Sequence, residues 1–264
     1  MTSDFENQTN ANDQATANAP QEAGDRVQGV GYGGELPPVP TGPVPRLPDG
    51  TVDLGDAVWF GGGPVSDIER QGGLRPGQLP LLPWARELRD KRQEHEDPVA
   101  FCLPMGVPRM PVFAWRFVQN YTHKKPTHMF IVVEGGTSTT RQIFMDGRKH
   151  PEDWDPTWFG HSIGWWEGDT LVIDTVGYND KFWMDRRGTP HTEQLHTIER
   201  FLRTDLGTLV REVTVDDPGA FSRPFTVTFT ARLRPTEEVQ EYICHENNQF
   251  GAGGGHANPY AGEP

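Results

Sequence analysis

The chain has 264 residues, of which 24 are Lys or Arg and 37 are Asp or Glu, giving a formal charge of −13. That balance excludes nucleic acid and anionic membranes as default partners, because both are recognised by clustered basic groups. Thirty glycines and 24 prolines, with 34% hydrophobic residues, argue against long helices and for a β-rich fold with many turns.

Residues 1–43 are rich in Asn, Gln, Ala, Gly and Pro and read as a disordered extension. A G-x-G-x-x-G match runs from Gly29 to Gly34, but Glu35, Leu36 and Pro37 follow where a phosphate-binding helix should begin. No nucleotide site is assigned there. The first residues also lack a basic and then apolar leader, and no stretch approaches the roughly 18 apolar residues of a membrane span, so the expected location is the cytoplasm. A chain already trimmed of a leader would read the same.

Residues 44–125 form an irregular wrap or lid with one short helix, opened by Pro83 and carrying Ala85 and Leu88 on one side. Three prolines between Phe101 and Phe113 forbid a central strand in that stretch. Trp59, Trp115 and Phe117 nevertheless need a partner surface. From residue 126 to 248 the period becomes two, and eight strands are predicted at 129–134, 140–145, 161–166, 170–176, 196–202, 208–215, 225–233 and 239–246. Short turn sequences between several of them predict a mainly β fold: an eight-stranded antiparallel meander closing into a calycin-like barrel able to hold one small ligand. Residues 249–264 are expected to be a flexible tail.

Arg141 to Pro151 and Asp155 to Asp180, with the core Gly160-His-Ser-Ile-Gly-Trp-Trp-Glu-Gly-Asp-Thr-Leu-Val-Ile-Asp-Thr175, carry a resemblance. The chain resembles a large uncharacterised family of soil-bacterial, acidobacterial-type proteins with the motif GHSxGxWEGDTLVxDT. Similar stretches at Val44–Gly50, Cys102–Arg109, Leu195–Phe201 and Cys244–Asn248 extend the resemblance over about residues 44 to 248. It implies one domain and no particular chemistry. Many members are exported, a pattern from which this chain departs by lacking a leader. A looser likeness is to calycin-type barrels such as lipocalins, which include carriers and cofactor-free decarboxylases, hydratases and cyclases.

Cys102 and Cys244, the two cysteines, allow neither a disulfide framework nor a Cys-rich zinc site, though they leave one bridge open. No P-loop, nucleophile elbow or C-x-x-C is present. Proton chemistry is the remaining theme. His161 is bracketed by apolar residues, a setting that moves an imidazole pKa across neutrality, and the plainer reading is a hydrogen-bonded core histidine. His191, His196 and Glu199 form the densest ligand group, although His196 and Glu199 have opposite strand parity. Asp174 and Asp180 are further acids, and Glu246 ends the last predicted strand. Aromatic residues crowd 154–183.

The resulting expectation is a cofactor-independent lyase, isomerase or cyclase acting on an apolar or aromatic oxygenated small molecule inside the barrel. Its catalytic set is His161, His196, Glu199 and Glu246. Phe159, Trp166, Trp183, Tyr242 and Arg141 are expected to bind substrate, with no metal and no cofactor assigned. The alternatives are a non-catalytic lipocalin-like carrier and a metal-dependent hydrolase. The oligomeric state is left open.

Overall fold

The computed structural model describes residues 38–55, 57–122, 125–135, 140–244 and 246. The predicted extension, up to residue 37, and the predicted tail lie outside the described residues. Nine strands form one closed barrel in chain order: β1 (Trp59–Gly61), β2 (Ala114–Thr122), β3 (Lys125–Val133), β4 (Thr140–Phe144), β5 (His161–Glu167), β6 (Thr170–Val176), β7 (His196–Arg203), β8 (Thr208–Asp216) and β9 (Phe225–Leu233). Two helices, α1 (Ile68–Gln71) and α2 (Pro83–Lys91), lie between β1 and β2.

Alternation builds the strands. In β9, Phe225, Val227, Phe229, Ala231 and Leu233 are buried while the threonines and arginine between them are exposed. Gly168, at φ +60°, turns β5 into β6 through a backbone region that side chains disfavour. At β7–β8 the Asp205 carboxylate accepts from Gly207 N at 2.8 Å, a local bond that stabilises the reversal.

Three expectations about the strands need correction. The barrel has nine strands rather than eight, because β1 and β2 come from the stretch read as wrap. Residues 239–246 are not a strand: the free side of β9 is taken by β1, with Trp59 opposite Leu233, so no edge is left for a further strand to pair with. The meander is also not wholly antiparallel, since β4 and β5 are parallel, with Ile143 opposite Ser162 and Phe144 opposite Ile163. A parallel neighbour cannot be reached by a hairpin, so residues 145–160 must cross back along the barrel.

The interior holds two apolar clusters. At one end Trp59, Trp115, Phe117, Ile131, Leu171 and Phe201 pack together, with Phe117 and Phe201 edge to face at 5.3 Å. At the other, Val213, Val215, Phe225, Val227 and Phe229 meet Ile68, Leu79, Leu81, Ala85 and Val107 from the β1–β2 connection. That connection therefore packs against the second cluster, while its flanks supply two staves of the barrel. The segment after β9 is tied back by a disulfide between Cys102 and Cys244.

Candidate functional site

Strand parity sorts the polar residues onto two sides of the wall. Ser162, Thr175, Thr197, Glu199 and Arg211 share their faces with the buried core residues and point inward. His161, Asp174 and His196 lie on the opposite faces of β5, β6 and β7 and point outward. Over this outer face runs the β4–β5 crossover, bringing Arg148, His150 and Trp154. It is held along the exit of β6 by Thr157 N donating to Gly177 O at 3.0 Å and Asn179 N donating to Thr157 O at 2.8 Å. Gly160 lets the chain turn into β5, since a Cβ there would stand 2.4 Å from Val176 O.

Four side chains then form one hydrogen-bonded chain. His161 Nδ1 lies 2.8 Å from His150 Nδ1. The other nitrogen of that ring, His150 Nε2, lies 3.3 Å from Asp174 Oδ1. His196 Nε2 meets the same oxygen at 2.7 Å. Phe144 stacks on His161 with centroids 5.0 Å apart, and the Trp154 ring meets its edge at 4.9 Å. The Arg148 guanidinium lies 3.8 Å over Phe144.

The chain runs along the outer face from a covered end to solvent, with His161 only 4% exposed and the His196 side chain 36% exposed. Burial opposes the Asp174 charge, yet the hydrogen bond from His196, supported by His150, holds its carboxyl below the usual range. That same bond raises His196 against its own partial burial. His161 is lowered, first by burial and then by the nearby His150 and Arg148. An ionised Asp174 accepts an Nε2–H from both neighbours. Where the His150 ring carries its single hydrogen on Nε2, its Nδ1 accepts from His161 Nδ1–H and a lone pair is left on His161 Nε2.

The remaining expected site residues lie elsewhere. Glu199 is fully buried inside the barrel, where Arg211 Nε and Nη2 donate to its Oε1 at 2.9 and 2.7 Å and Arg141 Nη2 stands 2.5 Å from its Oε2. Burial disfavours its charge, and the two guanidiniums outweigh that cost. Phe159 and Trp166 pack against the first apolar cluster. Trp183 is buried beneath the Arg92 guanidinium at 4.8 Å. Tyr242 and Glu246 are exposed beyond β9.

The proposed catalytic set is therefore divided three ways, and only His161 and His196 belong to one chain. The alternation of side chains across a strand is the reason His196 and Glu199 part. His191, His196 and Glu199 likewise do not converge: the His191 Nε2 faces Phe182 O at 3.0 Å in a buried loop. Among the described residues no group of three His, Cys, Asp or Glu side chains has a metal-holding arrangement.

Sequence reasoning did not single out His150, and it gave Asp174 the plainer alternative of pointing to solvent. Asp174 does face outward, where the crossover and His196 half-cover it. No local spacing links positions 150, 161, 174 and 196, because their meeting depends on the parallel pairing of β4 with β5. Comparisons of the chain with protein-family models, with curated proteins and with solved structures return no match.

Proposed function

We propose that the protein is a cofactor-independent acid–base enzyme, of lyase, isomerase or cyclase type, whose site lies on the outer face of the barrel rather than inside it. The observation that carries this reading is the chain His161–His150–Asp174–His196, whose two end histidines are pushed in opposite directions. Its lowered pKa suits His161 to act uncharged as a proton acceptor, and the raised pKa of His196 suits it to hold a proton more firmly than a free imidazole does. Asp174 and His150 orient the rings by fixing which nitrogens carry hydrogen. Trp154, 41% exposed, and Phe144 provide flat apolar walls suited to an aromatic or apolar oxygenated substrate. Because His161 is covered, displacement of Trp154 is the step that admits it.

The test is hydrogen–deuterium exchange in D2O, followed by NMR, on a panel of small carbonyl and phenolic compounds. Exchange should occur with the native protein and fall strongly in His161→Gln and Asp174→Asn. The second variant should also move the His196 titration down toward its ordinary value. Exchange that persists in His161→Gln, or exchange with none of the compounds, removes the reading.

The carrier alternative is weakened by an interior filled with the protein's own Trp115, Phe117 and Phe201 side chains. A calycin-type kinship rests on barrel closure, and the ninth strand and the parallel pair set this barrel apart from a simple meander. A metal-dependent hydrolase draws no support from the diverging His191, His196 and Glu199. For location, the Cys102–Cys244 bond favours an oxidising compartment over the cytoplasm expected from the sequence. No helix of the described residues is long and apolar enough to cross a membrane.

A further inference from the structure

We propose that the polar layer inside the barrel binds one small, weakly hydrated monovalent anion, such as chloride or formate, at the Arg141 guanidinium. This layer lies between the two apolar clusters: Arg211 sits on β8 between Leu209 of the first and Val213 of the second. Two guanidiniums there share a single carboxylate, with side-chain exposures of 1% for Arg141, 1% for Arg211 and 0% for Glu199. One positive charge is left over in a region walled by hydrocarbon, where an uncompensated ion is costly.

The hydrogen bonds locate that charge. Each nitrogen of Arg211 has a partner, with Nε and Nη2 on Glu199 and Nη1 donating to Gly62 O at 2.7 Å and Pro108 O at 3.0 Å. Arg141 donates from Nε and Nη2 to Ser162 Oγ, both at 3.2 Å, and from Nη2 to Thr175 Oγ1 at 2.8 Å. Its Nη1 is buried and has no hydrogen-bond partner among the described residues. Ser162 and Thr175 hydroxyls lie 2.9 Å apart, and Tyr178 OH lies 2.7 Å from Thr197 Oγ1, so rotatable O–H donors line the same layer. Tyr178, pushed up to about 12 by burial, stays a protonated donor and cannot supply the missing negative charge. A water molecule would satisfy the Nη1 hydrogens without neutralising the charge. The apolar clusters on both sides disfavour a strongly hydrated ion, and the site is independent of the acid–base reading because it lies on the opposite side of the wall.

The experiment is urea unfolding of the full chain in sodium fluoride, chloride, bromide and formate at matched ionic strength. Fluoride is the reference, since it holds its hydration shell most strongly. The folded-to-unfolded ratio should rise with chloride, bromide or formate, by about tenfold per tenfold concentration once the dissociation constant is passed. Arg141→Gln should abolish that dependence. As this variant can fail to fold, crystals of the native chain grown in bromide supply a second readout: an anomalous peak beside Arg141 Nη1. Equal ratios in all four salts, with only water beside Nη1, overturn the proposal.

Discussion

His191 converts burial into a measurable dependence of stability on pH. Its ring is 4% exposed, lies 3.8 Å from the Phe182 ring between centroids, and presents Nε2 to Phe182 O at 3.0 Å. Burial pushes its pKa from 6.5 down to about 4. Above pH 6.5 the residue is neutral in both folded and unfolded chains and contributes no pH dependence. Below it, the unfolded chain gains a proton that the folded chain does not, so stability falls with pH until the folded state also titrates near 4. At roughly 1.4 kcal/mol per pH unit, the total loss is about 3 kcal/mol. The assay is urea unfolding from pH 7.5 to 4 for the native chain and for His191→Gln, whose amide can still donate to Phe182 O. Other titrating groups are common to both proteins and cancel in the comparison. The variant should lose about 3 kcal/mol less than the native chain over this range. Parallel pH profiles, or an NMR titration of His191 near its ordinary value, would refute the argument.

Glu199→Gln should destabilise the fold by about 3–5 kcal/mol, measured by urea unfolding at neutral pH, because it leaves two buried guanidiniums without their shared carboxylate. Reduction of the Cys102–Cys244 bond should lower stability by about 2–5 kcal/mol, because the bond closes a sequence separation of 142 residues; unchanged unfolding in dithiothreitol would contradict this. A chain truncated to begin near residue 125 should show no cooperative melting by circular dichroism, since it lacks β1 and β2 and leaves β9 and β3 as open edges.

Residues with strong period-two patterning were legible from the chain alone. The strands at Thr140–Phe144, His161–Glu167, Thr170–Val176, His196–Arg203, Thr208–Asp216 and Phe225–Leu233 follow from β-branched and aromatic alternation, and the helix at Pro83–Lys91 from its N-terminal proline. Parity also told that His196 and Glu199 face apart. What periodicity supplies is the face of each residue, and it says nothing of which strand becomes its neighbour. That choice is made by long-range pairing. Three residues at Trp59–Gly61 close the ring between Leu233 and Trp115, leaving residues 239–246 without an edge despite their alternating pattern. The parallel register of Phe144 with Ile163 sends the crossover over the outer face and sets His150 between His161 and Asp174. Both outcomes depend on backbone groups far apart in the chain finding their hydrogen-bond partners together, so only the folded barrel decides them.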